Sequence, residues 1–191
     1  MLKRREAIAT LMANRPKELF VVPGLGSCTY DMASLGEKDQ DFYLWGAMGG
    51  AAMIGLGLAL AKPKLKVAVI TGDGEMLMGM GALATIGVQR PANLAVVVFD
   101  NQRYGETGMQ ASHTDKGVDL VGVARACGIA HTLNVDDQAG LGKLAGALGA
   151  LKETLFARVR IAADDPPRVL PSKDGVELKL RFRKAAMAAG A

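Results

Sequence analysis

Two uninterrupted apolar runs, Val67-Ala68-Val69-Ile70 and Leu94-Ala95-Val96-Val97-Val98-Phe99, constrain this chain more than anything else in it. Each is short, rich in β-branched residues and free of the polar alternation of a half-exposed strand, so each is expected to be a strand buried on both faces of a parallel sheet. The stretch between them is long enough for a crossover helix. The first run ends in Thr71-Gly72-Asp73-Gly74 and the second in Asp100-Asn101-Gln102-Arg103-Tyr104-Gly105. Ligands of such βαβ units sit outside the carboxyl ends of the strands, where Asp73 and Asn101 bring side-chain oxygens.

Gly72 and Gly74 remove side chains on either side of Asp73 and leave backbone N–H groups free at a helix start, an arrangement that suits phosphate. One carboxylate from Asp73, one amide oxygen from Asn101 and a backbone carbonyl just beyond, at Arg103, make a hard oxygen set suited to a divalent cation such as Mg2+. An Asp-Gly pair after a strand is also an everyday turn. A dinucleotide fingerprint fails on spacing: counted from Gly72 its third glycine falls on Leu77, and counted from Gly24 on Thr29.

The spaced pair Gly72-Asp73-Gly74 and Asn101 resembles the signature of the thiamine-diphosphate enzymes, in their diphosphate-binding domain. Trp45-Gly46-Ala47-Met48-Gly49 is similar to the segment carrying the large apolar residue beneath the bent cofactor, and Tyr104-Gly105-Glu106-Thr107-Gly108 is most similar to the separate β subunit of sulfopyruvate or phosphonopyruvate decarboxylase. The resemblance covers nearly the whole chain. It implies thiamine diphosphate and Mg2+ as cofactors, with Asp73, Asn101 and the Arg103 carbonyl on the metal. Cofactor contacts are then expected from Gly26, Ser27, Gly46, Met48, Gly72, Gly74, Glu75, Tyr104 and Gly105 besides those three. Gly46 is the match for the glycine whose carbonyl accepts from the aminopyrimidine.

The resemblance further implies decarboxylation of a small 2-oxo acid, with the cofactor as electron sink. The glutamate that activates the cofactor lies, in this family, on another domain for which 191 residues leave no room. An α subunit is therefore expected to bring it, in an α2β2 unit or larger. His113, in a loop from Gly108 to Thr114 that reads as a cover, is a candidate on this chain for a catalytic role, as proton relay or anion contact; Glu106, close behind the metal motif and facing the site, is the second candidate, with no role assigned to it. The alternatives are a carboligase, synthase or oxidoreductase subunit of the same family, or a nucleotide- or phosphate-binding module without chemistry.

The rest of the chain reads as one domain, residues 1–191, in a doubly wound α/β fold with a mainly parallel sheet of about six strands and helices on both faces. Strands are expected at 19–22, 42–44, 67–70, 94–99, 129–135 and 156–161. Helices are expected at 2–14, 46–61, after Gly74, at 119–128, from Asp136 to about Lys152 and at 175–189. Ala51, Gly55 and Ala59 give one helix face small enough for close packing. Aromatic residues at 5% and a net charge of +4 offer little for nucleic acid. Gly46–Ala61, diluted by glycine, is too short to span a membrane. Cys28 and Cys127, in unlike contexts, are expected to be reduced and buried. No apolar leader is evident, so the cytoplasm is the expected location.

Overall fold

The computed structural model describes residues 1–189. Five parallel strands form the central sheet in the order β1-β2-β3-β7-β6: β1 (Leu19–Pro23), β2 (Lys66–Gly72), β3 (Leu94–Asp100), β7 (Leu155–Arg160) and β6 (His131–Val135). The two apolar runs are β2 and β3, paired from Val67 with Leu94 to Gly72 with Phe99. Alternation of the strand side chains divides the interior in two. Ala68, Ile70, Ala95 and Val97 pack under α1 (Arg4–Met12), α2 (Ser27–Ala33) and α7 (Gln138–Gly149). Val67, Val69, Val96 and Val98 pack under α3 (Ala51–Ala61), α4 (Asp73–Met78), α5 (Ala82–Gln89) and α6 (Leu120–Ala126). A strand buried on both sides has no polar face, which is why these runs read as continuous.

The small face of α3 lies directly on the sheet. A Cβ at Gly55 would stand 2.2 Å from Cγ2 of Val69, so only glycine lets the helix backbone come this near β2. Asp137 caps α7 by accepting from the Gly140 N–H, and Asp174 caps the basic helix α8 (Gly175–Ala188) by accepting from Val176 and Glu177. The outer surface of α3, α4 and α5 is apolar, with Met53, Leu60, Met78 and Val88 exposed. No charged residue occurs between Phe42 and Ala61 or between Met76 and Gln89. No helix among the described residues is long and apolar enough to cross a membrane.

Several expectations are corrected. The sheet has five strands rather than about six because residues 42–44 do not form one. That segment follows β1 only through the Asp41–Val21 bridge and the bonds flanking it, after which the Tyr43 hydroxyl turns back to Asp41. Helix α3 starts at Ala51 instead of 46. Residues 46–50 form a bend with left-handed backbone at Ala47 (φ 56°) and Gly49 (φ 93°), held where the Gly49 N–H reaches the Glu75 carboxylate. The segment after Gly74 is two helices, α4 and α5. Residues 108–114 are no loose cover: β5 (Gln110–Ala111) pairs antiparallel with β4 (Arg103–Tyr104), and Ser112 and Thr114 are buried beyond it. Cys28 is buried, but Cys127 only partly so.

Candidate functional site

The carboxyl ends of β1, β2 and β3 open into a cleft of about 570 Å3, a figure that includes the open solvent at its mouth. The turn after β1 contributes Leu25, Ser27 and Cys28, and the bend before α3 contributes Met48. Gly72 to Glu75 come from the β2–α4 junction. Phe99, Asn101 and residues 103–107 come from the end of β3 and the start of the hairpin. All the cofactor residues expected from the sequence line this cleft except Gly26 and Gly46. Gly26 (φ 81°) lies between two lining residues, where a Cβ would stand 2.8 Å from Glu106, whereas Gly46 is exposed and a Cβ there would meet nothing within 4 Å.

Asp73 is 2% exposed at the N-terminus of α4. Its Oδ2 accepts a 2.5 Å hydrogen bond from Ser112 Oγ, and Thr114 Oγ1 lies 3.3 Å away. The Thr114 hydroxyl has one proton to give and stands nearer Asp100 Oδ1, at 2.8 Å. Two neighbouring buried carboxylates are thus separated by hydroxyls, but they differ in charge balance. Asp100 also accepts from Arg158 Nε at 2.8 Å and faces Arg160 at 3.5 Å. Asp73 has no cation within ion-pair distance among the described residues. Desolvation holds its carboxyl above the ordinary carboxylate range, and the charge of Asp100 adds to the effect against the Ser112 bond.

A buried carboxylate without a counter-ion is costly, and a divalent cation at the cleft would offset that cost. The neighbouring donors have the right chemistry. Asn101 sits one residue past the end of β3, its Oδ1 accepting from the Arg103 N–H at 2.9 Å across a turn whose middle residue, Gln102, is left-handed (φ 59°). No cluster of three His, Cys, Asp or Glu suited to a metal exists among the described residues, so a cation here would rest on one carboxylate with amide and carbonyl oxygens.

Glu75, also buried, ties the cleft walls together. Its Oε2 accepts from Thr71 Oγ1 at 2.7 Å and its Oε1 from the Gly49 N–H at 3.3 Å, with the N–H groups of Ala51 and Leu25 facing it. Burial raises its pKa as well, and those hydrogen bonds act the other way. Gly74 is without a side chain because a Cβ there would lie 2.7 Å from the Tyr104 ring. Met48 Cε is 3.8 Å from the same point, so Met48 and Tyr104 flank Gly74 as an apolar edge. Glu106 stands on the rim, accepting from Ser27 Oγ at 3.1 Å and pairing with Arg168 at 3.5 Å. His113 is exposed, points away between the inward Ser112 and Thr114, and meets the cleft only through the edge of Tyr104. Burial pushes the Cys28 thiol far up, so it is no nucleophile.

Ser112, Thr114, Asp100 and Thr71 are site residues that sequence reasoning missed. The two hydroxyls around His113 were the one available signal, since alternate residues of an extended segment share a face.

A family model described as the C-terminal TPP-binding domain of thiamine pyrophosphate enzymes matches residues 24–159. The sulfopyruvate decarboxylase subunit beta of Methanocaldococcus jannaschii is 39% identical over 127 residues, 66% of this chain and 67% of that one. A phosphonopyruvate decarboxylase of Streptomyces hygroscopicus is 38% identical over 190 residues, 96% of this chain but only 45% of the relative. Among solved structures, a thiamin diphosphate-dependent enzyme from Mycobacterium smegmatis superposes with a TM-score of 0.73 at 19% identity, over 85% of this chain and 32% of that chain. Benzoylformate decarboxylase from Polynucleobacter necessarius gives 0.72 at 22% identity, over 87% and 34%. The chain thus spans about a third of these solved chains and from under half to two thirds of these curated relatives.

Proposed function

The chain belongs to the thiamine pyrophosphate enzyme family, as its C-terminal TPP-binding domain, and from that premise we propose that it is the diphosphate- and Mg2+-binding subunit of a 2-oxo acid decarboxylase. The observation that carries this reading is Asp73: a buried carboxylate with no counter-ion among the described residues, on a cleft at the strand ends that Asn101, Ser27, Gly74 and Met48 also line. Bound there, thiamine diphosphate supplies an electron sink for loss of carbon dioxide from a 2-oxo acid.

The chain's own residues do the holding and shaping. Asp73, Asn101 and the Arg103 carbonyl hold the cation, with Ser112 and Thr114 fixing the Asp73 rotamer. The backbone N–H groups of Ser27 and Gly74, at helix starts, take diphosphate oxygens. Leu25, Met48 and Tyr104 keep water from the ring end. Glu75 sets the distance between the β1 turn and the Met48 bend, and Glu106 fixes the rim by bonding Ser27.

Among the described residues, neither glutamate that lines the cleft is free to activate the cofactor. Glu75 is committed to its hydrogen bonds, and Glu37 is tied to Arg181 and the Ser172 N–H far from the cleft. Glu106 is engaged on the rim. The activating carboxylate then comes from outside these 191 residues, and the β-subunit name of the Methanocaldococcus relative supports a second subunit as its source. The uncharged outer surface of α3 to α5 is the face for that partner. The relatives' names favour a 2-oxo acid with a sulfonate or phosphonate tail. In the test, this chain, its partner and their mixture are each assayed for carbon dioxide release from sulfopyruvate and phosphonopyruvate with thiamine diphosphate and Mg2+. Activity only in the mixture is expected; full activity from this chain alone overturns the divided site.

A further inference from the structure

Arg4 enters the cleft from α1, a helix that precedes the residues matched by the family model. It is only 5% exposed. Its Nε donates to Asp31 Oδ2 at 2.6 Å, and Asp31, itself fully buried, takes Arg5 Nε on its other oxygen at 2.8 Å. That pairing uses one of the five guanidinium N–H groups of Arg4. Among the described residues its two terminal nitrogens donate to nothing. They are not sealed in the core either, since the side chain forms part of the cleft wall alongside Ser27, Cys28 and Asp73.

A buried guanidinium held at Nε and left open at its terminal nitrogens is a fork awaiting an acceptor. The other arginine on the cleft, Arg103, is a rim residue whose guanidinium is occupied by Asp115 at 3.3 Å and by the Gln102 carbonyl. Both buried carboxylates of the cleft, Asp73 and Glu75, repel anions, so a cationic side chain on the same wall favours an anion there in addition to any metal at Asp73. Planar fork geometry matches tetrahedral oxyanions of the phosphate class.

Resting on the family reading above, we propose that Arg4 is an anion-binding residue of this cleft, its free guanidinium nitrogens taking a phosphate-class oxyanion. That oxyanion is either the diphosphate end of the cofactor or the anionic tail of the substrate. Asp31 is its positioning residue, and the role belongs to Arg4 rather than Arg5, whose side chain is more exposed and reaches the Pro167 carbonyl instead of the cleft.

The test is calorimetric titration of the full chain, with Mg2+, against inorganic pyrophosphate, thiamine diphosphate and phosphonoacetate, the last standing for a substrate tail. Arg4→Gln should weaken binding of one oxyanion class by about 10- to 100-fold, as expected for losing a charge-assisted contact. Loss with pyrophosphate and thiamine diphosphate names the cofactor as the source; loss confined to phosphonoacetate names the substrate. Arg4→Lys, which keeps the charge and suits the fold, should recover part of the affinity, and it carries the test if Arg4→Gln fails to fold. Arg5→Gln loosens the same Asp31 clamp from outside and should bind normally. Equal losses in Arg4→Gln and Arg5→Gln, or wild-type affinity in Arg4→Gln or in Arg4→Lys, overturn the proposal while leaving the cofactor site standing. A wild-type chain that binds none of the three anions overturns the cofactor site and this inference together.

Discussion

Gly24→Ala tests whether Glu75 is the brace of the site. A Cβ at Gly24 would lie 1.8 Å from Glu75 Oε2 and 3.0 Å from Thr71 Oγ1, so the carboxylate must retreat by roughly 1.5 Å to reach ordinary contact. Its bonds to Thr71 Oγ1 at 2.7 Å and to the Gly49 N–H at 3.3 Å cannot survive that movement. Each hydrogen bond to a charged group contributes about 1.5–3 kcal/mol, so losing two in a closed space should destabilise the chain by about 3–6 kcal/mol. The cost should nearly vanish when the carboxylate is absent. In a Glu75→Ala background, Gly24→Ala should cost less than about 1 kcal/mol, since the added methyl then fills part of the space left behind. Urea unfolding of the four proteins of this cycle gives the coupling directly. If Gly24→Ala costs the same with and without Glu75, the clash is with backbone, and the brace is wrongly assigned.

At neutral pH without metal, Asp73→Asn should be more stable than the wild type yet fail to retain thiamine diphosphate with Mg2+. Because folding raises the Asp73 pKa, its ionised form costs stability above the unfolded carboxylate value of about 4. The wild type should therefore lose ground to the variant as pH rises from about 4 through the folded pKa, and the gap should narrow below it. Urea midpoints in EDTA across that range check this, and a gap that widens toward acid refutes it. Met48→Ala should lower turnover of the assembled enzyme at least tenfold while changing stability by about 1 kcal/mol or less, because the residue is 36% exposed and packs little. Comparing kcat with the thermal midpoint decides it, and equal losses would make Met48 plain packing.

Sequence reasoning located β2, β3 and the Gly-Asp-Gly and Asn motifs because strand burial and strand-end turns are written locally, in runs of Val and Ile and in single glycines. It misplaced the start of α3 because what breaks the helix at 46–50 is the Glu75 carboxylate, which approaches from 26 residues away in the chain. Ser112 and Thr114 went unseen for the same reason: their partner Asp73 is some 40 residues back. His113 drew attention because imidazole chemistry is conspicuous, while the hydroxyls on either side are the residues that turn inward. Arg4 carried no local signal at all. A basic residue at the start of an N-terminal helix reads as solvated until Asp31 is known to be buried beneath it.

The arginines that balance Asp100, Arg158 and Arg160, are on β7, nearly 60 residues after it in the chain. A chain emerging from the ribosome N-terminus first therefore exposes β2 and β3, with Asp73 and Asp100 side by side at their ends, well before either Arg158 or Arg160 exists. The β3–β7 pairing that brings them together is long-range and parallel, the kind of contact whose loop-closure cost makes it form late. Until then two carboxylates face each other at the tips of otherwise complete strands, so charge balance at the cleft waits on the docking of β7, as does the edge strand β6 that pairs only with it.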